Sequence, residues 1–265
     1  MTKLQAEFKI RNKEILDYLT SFSLKSSLPK HKFMILAHYR TGSTLLADLL
    51  QSHPSIFIGG EIFSLFANSY FKKVLFPHTY LNIQVKKSPC HFYGFDLKID
   101  QLIVSLSRFH QTPIEFIEDL CINNWKIIYL KRNNTLRKAI SDLIANARKQ
   151  WHDTPETPLI KAPIYIDCQQ LIKLLEWYEK IDKKEQQIIQ NFPSLKLIYE
   201  THLLNPDRHQ QTLDKIFSYL GTYSVPVKTK MKKISTHNLA DDIINYEEVV
   251  DFIRESKYKK FLEIN

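Results

Sequence analysis

Glycine is scarce in this chain. There are five in 265 residues, and three of them, Gly42, Gly59 and Gly60, fall within one short stretch. Cysteine is scarcer still: Cys90, Cys121 and Cys168 are far apart and odd in number. No pair has metal-ligand spacing, and a disulfide framework is not indicated. Apolar runs are short and interrupted, and none approaches the roughly 18–20 residues needed to span a bilayer. The start, MTKLQAEFKIRNKEILDYLT, mixes acids and bases where a secretory signal needs an unbroken apolar core. A cytoplasmic location is therefore expected. Nucleic-acid signatures are missing too, with no helix-turn-helix, zinc spacing or aromatic-basic RNA motif. Without a His-Glu-x-x-His run, zinc hydrolysis is excluded, and no bound metal is expected.

What is present is a moderate core and an excess of positive charge. Hydrophobic residues make up 44%, and Lys+Arg 37 against Asp+Glu 28 gives +9. Some face should attract anions. Residues 1–30 read as an amphipathic helix and a Ser/Pro-bearing link, the helix being a candidate cap or homodimer element. Residues 31–265 read as a single domain. Strand patterns at KFMILAH (32–38), GFDLKI (94–99), WKIIYLKR (125–132) and SLKLIYE (194–200) alternate with helical patterns. Helices are expected near 169–190 and 207–220, with a charged one over 239–262. This alternation predicts an α/β fold whose central parallel sheet is flanked by helices on both faces. The proline-rich stretch 151–163 is expected to be a surface loop.

The turn HYRTGST, between the first strand and the helix STLLADLLQSH, is the most informative segment. A helix N-terminus offers unpaired N–H groups and the positive end of its dipole to phosphate-like groups. Gly42 can adopt backbone angles that let those groups converge. Arg40 brings a full charge, and Thr41, Ser43 and Thr44 bring hydroxyls. The plainer reading has Gly42 closing a turn and Ser43 capping a helix. A P-loop nucleotide kinase would share this layout, but that class needs Gly-Lys-Ser/Thr, and the sequence has none. Arg40 precedes the glycine instead.

The stretch FMILAHYRTGSTLLADLLQSHP resembles the 5′-phosphosulfate loop of sulfotransferases that use 3′-phosphoadenosine 5′-phosphosulfate (PAPS), and is most similar to the bacterial carbohydrate-type branch. The resemblance implies a three-layer P-loop-like fold. It implies that Arg40, Thr41, Gly42, Ser43 and Thr44 hold the phosphosulfate of PAPS, with 3′,5′-adenosine bisphosphate (PAP) as product. Arg132, at a strand end, and Ser141, nine residues on, resemble the family's clamp for the 3′-phosphate. The commonest family spacing is one residue shorter, which Lys131 or Arg137 could absorb. Lys232 and Lys233, in KTKMKKISTHNL, resemble a basic loop over the nucleotide, although solvated surface charge also accounts for them.

Glu61, in GGEIFS, stands where bacterial relatives carry a glutamate proposed as general base. A salt bridge to Arg40 would equally explain it. His53 and His38 are the other candidate bases. The branch implies a small-molecule or glycan acceptor, a carbohydrate or glycolipid hydroxyl, with no nucleic-acid partner. Residues 62–93 and 145–168 are expected to shape the acceptor site, His91, Tyr93, Trp151 and His152 among them. A non-catalytic PAPS-binding protein is the remaining alternative.

Overall fold

The computed structural model describes residues 3–20, 31–64, 74–106, 111–151, 162–231 and 238–263. Five strands form one all-parallel sheet: β1 (His31–Ala37), β2 (Ile56–Ile58), β3 (Phe92–Leu97), β4 (Trp125–Lys131) and β5 (Ser194–Ile198). Their order is β2-β3-β1-β4-β5. Chain connections run to opposite sides of β1, so its C-terminal end opens a crevice, the place where sheets of this kind bind ligands.

The strand HKFMILA shows why β1 is central. Parallel strands covered on both faces read as continuous apolar runs. Alternate side chains of β1 feed two separate cores. Met34 and Leu36 pack into one layer with Phe95, Phe116 and Trp125. Phe33, Ile35 and Ala37 pack into the other with Leu46, Leu213 and Phe217. Each fully buried side chain of this size contributes about 1.5–3 kcal/mol. Helices α2 (Ser43–Leu50) and α9 (His209–Leu220) cover the second face. On the first lie α3 (Pro77–Lys86), α4 (Ile99–Leu106) and α5 (Pro113–Ile122). A third apolar cluster joins α6 (Thr135–Arg148), α7 (Cys168–Ile189) and α10 (Tyr246–Arg254). The one-turn α8 (Tyr199–His202) follows β5 directly.

One expectation is corrected. The final helix is not continuous over 239–262: a 3-10 turn at Leu239–Asp241, then α10, then a second 3-10 turn at Lys259–Phe261 replace it. The backbone near 242–245 is diverted to the segment around 164–166. Ile164 bridges Ile243, and the Asn245 carboxamide bonds both the N–H and the carbonyl of Ile166. A helix cannot begin until that pairing ends. The N-terminal helix α1 (Lys3–Thr20) is docked on one side, because the carboxylate of Glu14, 1% exposed, accepts from the backbone N–H of Leu75 at 2.7 Å and from Tyr18 Oη at 2.6 Å. Asp17 pairs with Lys87 at 2.6 Å. No helix among the described residues is long and apolar enough to cross a membrane.

Gly94 sets how closely β3 lies against its neighbours. A Cβ there would meet the Phe33 ring at 2.4 Å and Ile58 at 2.8 Å. Overpacking of this kind costs about 1–3 kcal/mol. Gly94→Ala is therefore expected to lower the unfolding free energy from urea titration by about 1–3 kcal/mol, seen as a lower midpoint with an unchanged dependence on urea concentration.

Candidate active site

The turn Tyr39–Gly42 leaves the C-terminal end of β1 and starts α2. Two of its residues occupy left-handed backbone angles, Arg40 at φ 58° and Gly42 at φ 90°. For arginine this is an uncommon conformation, held only where surroundings enforce it. Two contacts enforce it here. Arg132, at the end of β4, donates to the Arg40 carbonyl at 3.0 Å, and Thr41 Oγ1 donates to the His38 carbonyl at 2.7 Å. Gly42 caps α2 with no side-chain hydrogen bond, so the helix's first N–H groups keep their donor capacity. A Cβ on Gly42 would strike the Tyr199 ring at 2.7 Å. That ring also lies under the Arg132 guanidinium, 4.8 Å from its centroid. Tyr199 is thus the wedge on which both the loop and the arginine rest.

Positive charge is concentrated around this turn. The side chain of Arg40 turns toward α6, donating from Nε to Ser141 Oγ at 3.2 Å and from Nη1 to the Trp151 carbonyl at 3.2 Å. The structure therefore brings together Arg40, Gly42, Arg132 and Ser141, although Ser141 touches Arg40 and not Arg132. Burial pushes the pKa of Arg132 down; Tyr199 and Glu200 oppose this, and the charges of Arg40 and Arg137 add to it. Its buried Nε has no partner among the described residues. An unpaired guanidinium donor beside other cations suits a phosphate, which accepts two parallel N–H bonds. Glu200 fixes the β4–α6 turn from below, accepting from the N–H groups of Asn133 and Asn134 at 3.1 and 2.9 Å. Asn134 caps α6, accepting from Arg137 N–H at 2.9 Å.

On the other side of the loop lies Lys98, a residue that sequence reasoning missed. It follows β3, is 1% exposed, and donates from Nζ to Ser43 Oγ at 2.8 Å. The same ammonium stands 3.7 Å from Glu61 Oε1. The ion-pair partner of Glu61 is therefore Lys98 and not Arg40. Glu61 Oε2 also accepts from Gln101 Nε2 at 2.7 Å, and the same amide donates to Tyr39 Oη at 3.0 Å. Its carboxylate remains partly exposed. The available signal was position: a lysine at the C-terminal end of a strand in a parallel sheet points to the ligand edge. Reading GFDLKI as strand throughout hid it.

The histidines divide differently. His53 lies at the far end of α2 from the loop, on the sheet edge where strands begin. It is fully buried, its Nδ1 accepting from Ser55 N–H at 3.1 Å and its Nε2 3.1 Å from Thr222 Oγ1. Both ring nitrogens serve packing, and His53 is dropped as a base. His38 is buried between Tyr39, Trp177 and Tyr178. Burial, then Lys138 and Lys98, hold its pKa well below the usual value, so it stays neutral. His91 precedes β3 on that same distant edge, and Tyr93 is fully buried in the core, so neither can meet an acceptor at the loop. Ile62, Phe63 and α3 belong largely to the core. His152, Lys232 and Lys233 lie outside the described residues. Among the described residues no group of three His, Cys, Asp or Glu side chains could hold a metal ion.

Three comparisons bear on the chain. No protein-family model matches it. It is 23% identical over 254 residues to Nodulation protein H of Rhizobium meliloti, covering 90% of this chain and 98% of that protein. Nodulation protein H of Rhizobium tropici is 25% identical over 257 residues, with 90% and 96% covered. Among solved structures, a mouse sulfotransferase complexed with PAP aligns over 91% of this chain and 90% of its own, at 14% identity and TM-score 0.45.

Beneath the site lies a buried polar layer. Lys138, 1% exposed, donates to Asp182 at 2.8 Å, and Glu185 is 2% exposed nearby. Burial, reinforced by Asp182, raises the Glu185 pKa from 4.5 to about 8. Between those values the folded chain keeps a proton that the unfolded chain has released. Stability therefore falls as pH rises from about 4.5 to about 8 and levels off above. Glu185→Gln removes this slope. Its gain in Tm over wild type is expected to be small at pH 5 and largest at pH 8; an equal gain at both would refute the assignment.

Proposed function

We propose that this chain is a PAPS-dependent sulfotransferase, moving a sulfuryl group from PAPS to a hydroxyl acceptor of the carbohydrate or glycolipid class. The observation that carries this reading is the pair of arginines, Arg40 and Arg132, locked to one phosphate-type loop with no lysine after its glycine. A nucleotide with anionic groups on both its 5′ and 3′ sides uses both. The loop N–H groups, Arg40 and the hydroxyls of Ser43 and Thr44 would hold the 5′-phosphosulfate. Arg132, with Ser141, would hold the 3′-phosphate. Thr41 Oγ1 is bonded to the His38 carbonyl, so Thr41 serves this set through its backbone. Lys232 and Lys233 stay candidates for further phosphate contacts.

Transfer of a sulfuryl group resembles phosphoryl transfer, where positioned charge supplies most of the catalysis. Glu61 takes the acceptor's proton as the new oxygen–sulfur bond forms. The bond from sulfur to the bridging oxygen breaks, and that oxygen leaves with the electron pair on the 5′-phosphate. Arg40 and the loop N–H groups stabilise the departing charge. Lys98 makes this arrangement electrostatically tolerable. A carboxylate base and an anionic sulfuryl group repel at short range, and an ammonium touching Ser43 on one side and close to Glu61 on the other offsets that repulsion. In solution the enzyme would act as a cytoplasmic protein, with α1 the candidate contact for a homodimer.

Calorimetric titration with PAP, compared with ATP and ADP without magnesium, tests the donor site. PAP is expected to bind at micromolar or tighter affinity and ATP far more weakly. Arg132→Ala removes a charge-assisted bond worth about 1.5–3 kcal/mol, so PAP binding should weaken about 10–100-fold. A preference for ATP would return the chain to the kinase reading. Glu61→Gln is expected to keep PAP affinity and to lower kcat by about 10²–10⁴-fold. Unchanged turnover at every pH would remove Glu61 as the base, and PAP binding without turnover on any hydroxyl acceptor would favour the non-catalytic alternative.

A further inference from the structure

One wall of the site is aromatic and takes no part in the chemistry above. Trp177, on α7, stacks against Tyr39 with ring centroids 6.3 Å apart and planes 19° apart. His38 meets it edge-on at 5.0 Å, and Tyr178 backs it at 5.1 Å. Despite these three contacts Trp177 remains 36% exposed. Tyr39 is itself held at its hydroxyl, accepting from Gln101 at 3.0 Å and bonded to Asp100. Burial, then Asp100, raises its pKa, so the hydroxyl stays protonated. The Gln101 amide that holds Tyr39 also holds Glu61. Exposed indole, tyrosine, carboxamide and carboxylate form one continuous line of contacts ending at the candidate base.

We propose that Trp177, backed by Tyr39, is the acceptor platform, and that it takes the apolar face of a pyranose ring from a neutral oligosaccharide. The proposal rests on the sulfotransferase reading and adds to it where the acceptor lies and what recognises it. A pyranose has a face of C–H bonds and a rim of hydroxyls. Here a fixed aromatic ring adjoins the partly exposed Glu61 carboxylate, through the Tyr39 hydroxyl and the buried Gln101 amide that ties the two together. The ring is already immobilised by its neighbours, so binding costs little side-chain entropy. The wall is also open, because Trp177 itself stays 36% exposed. An open shelf suits a chain of rings better than a small planar phenol, which gains most from enclosure.

The test uses the full chain saturated with PAP, titrated calorimetrically with cellotetraose, with its N-acetylglucosamine counterpart, and with 4-nitrophenol as a planar control. At least one oligosaccharide is expected to bind, and Trp177→Ala should weaken it fivefold or more while leaving PAP affinity unchanged. Trp177→Phe keeps a ring in the aromatic packing and guards against loss of fold. It should bind more tightly than the alanine variant and lose the ligand-induced shift in tryptophan emission. A loss below fivefold in Trp177→Ala, binding of 4-nitrophenol alone, or no acceptor binding to PAP-loaded protein would each overturn the platform and leave the donor site standing. Failure of wild type to bind PAP would defeat the sulfotransferase reading first.

Discussion

The site depends on one constraint, the left-handed turn between β1 and α2 being held closed from outside. Neither the loop nor its helix does this alone, since Gly42 caps α2 with backbone only. Arg132 reaches across from β4 to bond the Arg40 carbonyl, and Tyr199 comes from β5 to fill the space a side chain on Gly42 would need. Arg132 then rests on that same ring. The geometry of the loop and the placement of the second arginine are therefore a single feature. Changing Tyr199 would disturb both halves of the proposed nucleotide site at once.

Much of this was legible in the sequence because the relevant signals are local. The run HKFMILA followed by a glycine turn and a leucine-faced helix gives strand, loop and helix directly, and the other three apolar runs place β3, β4 and β5 within a few residues. The pairing of Arg40 and Arg132 was accessible only through resemblance, since no periodicity brings residues so far apart together. Lys98 and Trp177 were missed for a related reason. Each sits in an element whose type was read correctly or nearly so, but its role comes from the edge or face it occupies. His53, a further candidate base, is carried by a helix of eight residues to the opposite edge of the sheet, a placement that chain order alone does not reveal. The broken C-terminal helix reflects long-range competition, with Asn245 bonding Ile166 in place of a helical neighbour.

Electrostatics divides the site into two halves. Around Arg132 the cations Arg40 and Arg137 outweigh Glu200, leaving a surplus that a bound anion would neutralise. Around Glu61 the single ammonium of Lys98 is shared among the carboxylates of Glu61, Asp96 and Asp100. A cationic surplus favours a highly charged anion, whereas a region without one favours an uncharged ligand. Buried groups below, the neutral His38 and the protonated Glu185 among them, add little net charge to either half.

The all-parallel strand order has a consequence for how the chain reaches this state. Parallel neighbours cannot be joined by tight hairpins, so each pairing of β1 waits for a distant strand. Its register with β4 joins Lys32 to Trp125, the contact between Arg40 and Ser141 closes 101 residues, and the Tyr199 wedge comes later still. Such long-range closure slows folding. On the ribosome, where segments emerge N-terminal first, the phosphate loop is made early and stays unformed until β5 has followed it out. The proposed nucleotide site thus becomes available only to a nearly completed chain, and a prematurely terminated one has the loop's sequence without its shape.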